Sequence, residues 1–203
     1  MTHAAPSLVL FDLDGVLVAY DRRRRMEHLG AALGRDPDRV YAALFESGLE
    51  ARYDAGEIDT AQYLAALGEA LDHPVDPAAW HAARAASMDC TPETCARVAT
   101  LATRCDIAIL TNNGPLVIDA LPHALASLFQ PDRIFGSGAL HLAKPAPEVF
   151  RKVVAHLGHA PHAALFLDDN HDNVEGARAA GLLAEHVARA GEFDAILARY
   201  ALA

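Results

Sequence analysis

Cysteine, long apolar runs and basic residues are all scarce in this sequence. The three cysteines are an odd number without Cys-x-x-Cys spacing, which gives little support to a disulfide framework or a zinc site and agrees with a reducing compartment. No stretch reaches the roughly 18 consecutive apolar residues that span a membrane. Residues 1–6 lack the basic and apolar regions of a signal peptide. We therefore expect a cytoplasmic protein without a membrane partner.

Positive charge is also in short supply. The chain has 17 lysines and arginines against 27 acids, a formal net charge of -10. A nucleic-acid partner would require a basic face, so we expect none. The 203 residues, 52% of them hydrophobic, are enough for one sizeable core or for a core that carries an insertion. We expect a monomer or a homodimer, between which the composition does not decide.

Two carboxylates, Asp12 and Asp14, directly follow the apolar run Leu8–Phe11, which has the pattern of a buried strand. Gly15 lets the chain turn and leaves both acids at the carboxyl end of the strand, where open parallel sheets bind ligands. Adjacent acids repel each other, and Mg²⁺ binds through one or two carboxylates together with substrate phosphate. A calcium loop is the alternative, but it requires further acids and a glutamate at its twelfth position, which this segment lacks. The segment favours a catalytic Mg²⁺ site.

Short apolar runs alternate with helical patterns along most of the chain. The runs that we expect to be strands are 8–11, 107–110, 133–135, 164–167 and, more weakly, 183–187. The helical patterns between the later runs are 116–129, 147–157 and 174–180. Strands that alternate with helices predict an α/β fold, with a Rossmann-like parallel sheet flanked by helices.

About ninety residues separate the first two runs, far more than one crossover needs. Their helical patterns are 22–34, 37–47, 60–71 and 77–88. Asp36 and Asp76 each precede a proline, which is typical of an N-cap followed by proline at the first helical position, and Thr60 is a further candidate cap. We predict an α-helical cap domain at 19–90, inserted into a core domain made of the residues on either side of it (1–18 and 91–203).

Polar clusters follow three of the later runs. Thr111 and Asn112 come directly after the second run and offer neutral donors to an anion, although they also suit an ordinary capped turn. Lys144 lies in a short loop before a helix, where a lone lysine is usually a solvated surface residue. Asp168 and Asp169 follow the fourth run, and two acids after a buried run are costly unless they are paired or bind a metal.

Because the carboxyl ends of parallel strands share one edge of a sheet, these side chains and the first two acids would converge there. Several acids, a lysine, a hydroxyl and one Mg²⁺ suit phosphoryl transfer, since the cations neutralise phosphate oxygens and a carboxylate can attack phosphorus. The sequence therefore predicts an enzyme that acts on a phosphate ester with Mg²⁺ as its cofactor.

The order of these motifs resembles that of the haloacid dehalogenase-like (HAD) hydrolase superfamily, from Leu8 to about Leu182. Asp-Leu-Asp-Gly-Val comes first, then Thr-Asn after a hydrophobic strand, Lys-Pro before a helix, and Asp-Asp. The insertion looks like the helical cap of the C1 type. The last two motifs are most similar to small bacterial sugar-phosphate phosphatases, the glucose-1-phosphate phosphatase group included. The resemblance implies a Mg²⁺-dependent phosphatase for a small phosphorylated metabolite.

The resemblance also implies the catalytic roles. Asp12 would be the nucleophile and a Mg²⁺ ligand. Asp14 would protonate the leaving oxygen and later activate water, while its carbonyl binds the metal. Lys144 would hold the phosphoryl oxygens and orient Asp12.

The binding roles follow from the same resemblance. Thr111 and Asn112 would bind the transferring phosphoryl group. Asp169 would ligate the metal, with Asp168 beside it as a direct or an indirect ligand. Where many relatives carry another acid four residues further on, this chain has Asn173.

Three other functions stay open at this point. Dehalogenases of this fold lack the second acid, because a halide needs no proton to leave, so Asp14 favours a phosphate ester. A phosphomutase would pass the phosphoryl group from the phosphoaspartate to a sugar instead of water. A non-catalytic HAD-like binding protein would have lost at least one chemical residue, and all four motifs are intact here.

The one dense basic run, four arginines at 22–25, lies where the chain should enter the cap. A solvated helix start explains it. The alternative is that one or two of these arginines hold a second anionic group of the substrate. We expect the specificity residues in the cap, with the candidates Arg22, Arg25, Phe45, Tyr53 and Tyr63.

Overall fold

The computed structural model describes residues 5–202. Its strands in chain order are β1 Leu8–Phe11, β2 Ala19–Tyr20, β3 Met88–Asp89, β4 Asp106–Thr111, β5 Ile134–Gly136, β6 Ala164–Asp168 and β7 Leu183–His186. Five of them form a parallel sheet in the order β5-β4-β1-β6-β7, and β2 and β3 form a separate antiparallel pair. The five predicted core strands and the α/β class are confirmed. β5 begins one residue later than predicted because Pro131–Arg133 is a 3₁₀ turn.

β1 lies at the centre of the sheet and all four of its residues are buried. Its side chains alternate between the two faces. Val9 and Phe11 pack into an apolar cluster that extends into the insertion, whereas Leu8 and Leu10 pack into a second cluster on the opposite face. Burial on both faces explains why the strand reads as a continuous apolar run.

The helices of the insertion are α1 Arg22–Leu33, α2 Pro37–Tyr41, α3 Leu49–Asp54, α4 Thr60–Leu71 and α5 Pro77–Ala86. α2 continues into the π-helical segment Ala42–Glu46, and α3 was not predicted. The antiparallel pairing of β2 with β3 brings the two connections between insertion and core together. The bounds of the cap domain at 19 and 90 stay a prediction.

The predicted helix caps in the insertion are confirmed at two positions of three. The side chains of Asp36 and Asp76 each accept a hydrogen bond from the backbone N–H two residues further on. The prediction for Thr60 is wrong, since Thr60 is the first helical residue. Asp59 caps α4 instead, in a capping box with Gln62 that satisfies two backbone N–H groups.

The core helices are α6 Pro92–Leu101, α7 Leu116–Asp119, α8 His123–Ala126, α9 Ser137–Leu140, α10 Pro147–His156, α11 His171–Ala179 and α12 Asp194–Arg199. The single helix predicted at 116–129 is wrong, because Pro122 has a non-helical backbone conformation (φ -52°, ψ 129°) and separates α7 from α8. α11 begins three residues before the predicted start, since Asn170 caps it.

No helix within residues 5–202 combines the length and the apolar character needed to cross a membrane. All three cysteines are free thiols.

Candidate active site

Asp12 and Asp168 lie side by side at the carboxyl ends of the adjacent strands β1 and β6. Phe11 pairs with Leu167, and the Asp12 backbone N–H donates to the Leu167 carbonyl at 2.9 Å. Lys144 Nζ lies between the two acids, 2.8 Å from Asp12 Oδ1 and 2.6 Å from Asp168 Oδ2. The lysine side chain is 1% exposed. One buried cation thus contacts both carboxylates through charge-assisted hydrogen bonds.

The loop that carries Lys144 is held from two sides. The Asn112 side chain accepts from the Lys144 backbone N–H at 3.0 Å and donates to the Lys144 carbonyl at 2.8 Å. On the other side α11 packs so closely that a Cβ on Gly176 would lie 2.0 Å from the Pro145 carbonyl oxygen. The Asn112 side chain is therefore engaged with the lysine loop, whereas the resemblance assigned Asn112 to the phosphoryl group.

Asp168 is fully buried and surrounded by donors. Its oxygens accept hydrogen bonds from Lys144 Nζ, from Asn173 Nδ2 at 3.1 and 3.0 Å and from the Asn170 backbone N–H at 2.8 Å. Asn173 thus supplies a neutral donor at the position where the resemblance implies a further acid. These bonds join Asp168 to the lysine and to both asparagines.

The carboxylates of Asp12, Asp168 and Asp169 present oxygens that all lie within 4.8 Å of one another. Gly15 leaves the space that Asp169 needs, because a Cβ there would lie 2.1 Å from Asp169 Oδ2. Gly15 also has φ +83°, which other residues rarely adopt. The three side chains offer only oxygen ligands, and Asp169 is exposed. Such a set of ligands fits Mg²⁺. Asp12 and Asp169 are the acids best placed to hold it.

The acidic cluster is short of positive charge. Burial raises the pKa of Asp12 to about 7, although the Lys144 ammonium acts in the opposite direction, and the charges of Asp168 and Asp14 raise it as well. Burial and the charge of Asp168 likewise raise the pKa of Asp169. A divalent cation would favour the ionised form of both groups.

Asp14 has a different set of partners. Its Oδ2 accepts from Arg84 Nη2 at 2.6 Å and from Asn113 Nδ2 at 3.2 Å. Asn113 also donates to Thr111 Oγ1 at 2.7 Å, which ties Asp14 to the end of β4. The Asp14 carboxylate therefore lies on the side of the site that faces the insertion.

Arg84, on α5, is a site residue that sequence reasoning missed. Its side chain is 1% exposed, and its guanidinium carbon lies 4.1 Å from the ring centroid of Tyr20. Arg84 Nη1 and Asp14 Oδ1 are buried without a hydrogen-bond partner among the residues that the structure describes. The sequence did carry a signal for this residue. Arg84 is a lone arginine in Ala-Ala-Arg-Ala-Ala, one helical turn after Trp80, and a charge on the apolar face of a helix requires a partner.

The last residue of α3, Asp54, contacts the core beside the loop that follows β4. Asp54 Oδ1 accepts from the Gly114 backbone N–H at 2.7 Å, and the Asp54 carbonyl accepts from Ser137 Oγ at 2.6 Å. Burial raises the pKa of Asp54 to about 7, and the charge of Glu50 adds to the effect. An acid of the insertion thus lies next to Asn113, one of the two donors to Asp14.

The basic run at 22–25 is engaged within the insertion. Its contacts are Arg22 over the Phe45 ring, and ion pairs of Arg23 with Glu27, Arg24 with Asp89 and Arg25 with Glu50. Tyr63 donates to the second Glu50 oxygen at 2.5 Å, and Tyr53 stacks on Tyr63 with ring centroids 4.2 Å apart. These contacts favour a structural role for the run over a second anion site.

Comparison with known proteins agrees with this geometry. The sequence model of the haloacid dehalogenase-like hydrolase family matches residues 6–181. A Mycobacterium tuberculosis protein named as a phosphatase is 37% identical over 87 residues, which are 42% of this chain and 40% of that protein. The match thus spans about two fifths of the length of this relative.

Solved structures show the same fold. A HAD-like family hydrolase from Porphyromonas gingivalis has a TM-score of 0.78 and 22% identity, covering 97% of this chain and 98% of that one. A HAD family enzyme from Bacteroides thetaiotaomicron, solved with magnesium and inorganic phosphate, has a TM-score of 0.71 and 20% identity, covering 89% and 93%. Since the family model matches most of its length, the chain belongs to the haloacid dehalogenase-like hydrolase family.

Proposed function

We propose that this hydrolase is a Mg²⁺-dependent phosphatase that acts on a small phosphorylated metabolite through an aspartyl phosphate on Asp12. The observation that carries the proposal is the buried Lys144 between Asp12 and Asp168, with Asp169 beside them. Lys144 neutralises phosphoryl oxygens placed against Asp12. Mg²⁺, held by Asp12 and Asp169, would supply further positive charge to the same oxygens.

Asp12 and Asp14 divide the chemistry between them. In the first half-reaction an Asp12 oxygen forms a bond to phosphorus while the bond to the ester oxygen breaks, and Asp14 donates a proton to that oxygen. In the second, Asp14 takes a proton from water, whose oxygen bonds to phosphorus as the Asp12–phosphorus bond breaks. Inorganic phosphate leaves and both carboxyl groups return to their starting forms. Arg84 and Asn113 hold Asp14 in place throughout.

Asp14 also supports an ester over a halide as the substrate, because an alkoxide is a poor leaving group without a proton. The name of the Mycobacterium tuberculosis relative agrees with a phosphatase. The magnesium and phosphate bound by the Bacteroides thetaiotaomicron enzyme agree with the metal and the ligand that we propose.

The test is phosphate release by the purified protein, with Mg²⁺, from a panel of phosphorylated metabolites and from p-nitrophenyl phosphate. Asp12→Asn removes the nucleophile. Asp132→Asn is the matched control. It neutralises an exposed acid in the turn before β5, at the amino end of that strand. We expect release by the parent and the control, none by Asp12→Asn, and loss with EDTA that Mg²⁺ restores.

Three results would overturn the proposal. Chloride release from 2-chloropropionate without phosphate release from any ester would make the protein a dehalogenase. Phosphoryl transfer to a sugar without phosphate release would make it a mutase. Full phosphate release by Asp12→Asn would place the nucleophile elsewhere.

A further inference from the structure

Two of the three cysteines are in contact with each other, outside the candidate active site. Cys90 Sγ lies 3.1 Å from Cys95 Sγ, and both side chains are free thiols. The sulfur atoms of a disulfide are about 2.0 Å apart, so a small movement of the side chains would join them. Both residues are partly exposed, which leaves the pair accessible to a small molecule. The thiol of Cys105 contacts the Leu101 carbonyl instead.

The start of α6 holds the two sulfurs together. Thr91 is the N-cap of α6, and its side chain accepts a hydrogen bond from the Thr94 backbone N–H at 3.1 Å. Cys90 therefore precedes the cap, and Cys95 is the fourth residue of the helix. Side chains at these two positions often pack together as a hydrophobic staple. A staple requires only apolar side chains, whereas two thiols at these positions can also form a covalent bond.

The pair lies where the chain returns from the insertion to the core. Cys90 directly follows β3, which pairs with β2 at the point where the chain enters the insertion. α6 is fixed to the core, since Arg97 forms an ion pair with Asp194 at 2.7 Å and donates to the Gly191 carbonyl at 3.2 Å. A bond between Cys90 and Cys95 would tie the end of β3 to this helix. It would therefore restrict the connection about which the insertion can move relative to the core.

We infer that Cys90 and Cys95 form a redox site, which a small-molecule disulfide oxidises to an intramolecular disulfide that stabilises the present arrangement of insertion and core and slows turnover. An element that covers an active site has to open to release product, so a restrained connection lowers kcat. In reducing compartments, disulfides are usually transient and catalytic or redox-sensing. The formation of the bond is independent of the proposed function, whereas its effect on kcat rests on that function.

The oxidation is a thiol–disulfide exchange in two steps. Cys95 loses its proton, and its thiolate attacks one sulfur of the small disulfide, which forms a mixed disulfide and releases one thiolate. Cys90 then loses its proton and attacks the Cys95 sulfur, which releases the second thiolate. The two cysteines lose two electrons and two protons in all, and the small disulfide takes them up to become two thiols.

The order of the two steps follows from the surroundings of Cys90. Burial raises the pKa of the Cys90 thiol to about 12, and the hydrogen bond and the charge of Cys95 contribute to the shift. This favours Cys95 as the thiol that reacts first. A mixed disulfide on Cys95 carries no charge, so Cys90 then ionises more readily. Because the exchange requires thiolates, it should be faster at about pH 9 than at about pH 7.

Peptide mapping tests whether the bond forms. Cleavage by trypsin after the flanking arginines gives one peptide, 85–97, that contains both cysteines, whereas Cys105 falls in another. The reduced protein is incubated with glutathione disulfide, its remaining thiols are alkylated, and its peptides are mapped by mass spectrometry. We expect peptide 85–97 to be two hydrogen atoms lighter and free of alkylation, and dithiothreitol to reverse this. Cys90→Ser should instead leave Cys95 in a mixed disulfide with glutathione.

Thermal melts and turnover measure what the bond does. A disulfide that closes a loop of six residues, 90–95, should raise the melting midpoint by about 4–9 °C. We expect kcat for p-nitrophenyl phosphate to fall severalfold on oxidation and to recover with dithiothreitol. Neither change should occur in Cys90→Ser. Cys105→Ser is the matched control, since it removes a partly exposed thiol outside the pair, and it should respond to oxidation as the parent protein does.

The inference fails if peptide 85–97 keeps both thiols, or carries only mixed disulfides, after oxidation at about pH 9. It also fails if the disulfide forms but the melting midpoint and kcat stay at their values in the reduced protein, because the bond then restrains nothing. A parent protein that hydrolyses no ester would overturn the proposed function and the expected effect on kcat. The peptide map and the melting midpoint would still decide whether the two cysteines are a redox site.

Discussion

Replacing Lys144 with methionine removes the ammonium that contacts both Asp12 and Asp168 while keeping a side chain of similar length. The ammonium is buried and lies 2.8 and 2.6 Å from the two acids. Breaking a buried ion pair from one side costs about 3–5 kcal/mol, because a charge stays behind uncompensated. The cost should lie near the lower end, since Asp168 keeps its bonds from Asn173, and Asp12, with its pKa raised to about 7 by burial, can take up a proton.

We therefore expect Lys144→Met to lose about 3 kcal/mol of unfolding free energy, which lowers the melting midpoint by about 6–12 °C in a chain of this size. Thermal melts of the metal-free protein measure this loss. Phosphate release from p-nitrophenyl phosphate should fall at least about a hundredfold, the usual effect of removing a group that stabilises transition-state charge. Lys152→Met, which removes an exposed lysine on α10, is the matched control.

A double variant sharpens the test. Adding Asp168→Asn to Lys144→Met removes one of the uncompensated charges, so it should recover part of the stability but none of the activity. The reasoning is refuted if Lys144→Met has the same melting midpoint as the Lys152→Met control. It is also refuted if the double variant has a lower melting midpoint than Lys144→Met.

Three further predictions concern the cluster, the packing beneath it and the insertion. Mg²⁺ should raise the melting midpoint more at about pH 8 than at about pH 6, because a proton competes for Asp12, whose pKa burial raises to about 7; equal shifts would contradict this. Gly176→Ala should lower the unfolding free energy by about 1–3 kcal/mol in urea titrations, since its Cβ would lie 2.0 Å from the Pro145 carbonyl oxygen; an unchanged midpoint would show that the helix can shift. Glu50→Gln should cost about 3 kcal/mol in the same titration, because Arg25 would stay buried without its carboxylate; parent-like stability would show that Arg25 finds another partner.

The sheet and its acids could be predicted because their signals are local. Each strand is a short apolar run, and Asp12 and Asp168 come directly after two of them. The rule that parallel strands end at one edge then brings the acids together without any knowledge of side-chain contacts. The same local reasoning failed at Thr60 and at 116–129, where a neighbouring aspartate was the better cap and a proline divided the helix.

Contacts between the insertion and the core could not be predicted in this way. Arg84 and Asp14 are 70 positions apart, and their pairing depends on how five helices pack. Asn112 shows the same limit, because the sequence places an amide after β4 but does not say whether it faces a ligand or the Lys144 backbone. The sequence left the role of the basic run open, because it does not show that these charges find partners within the insertion itself.

Trapping the covalent intermediate tests the central claim most directly. The protein is quenched during turnover of p-nitrophenyl phosphate with Mg²⁺, reduced with borohydride and digested, and its peptides are mapped by mass spectrometry. Reduction converts an aspartyl phosphate to homoserine, so we expect homoserine at position 12, and none in Asp12→Asn or without Mg²⁺. Homoserine at another aspartate, or none at all while phosphate is still released, would contradict the account.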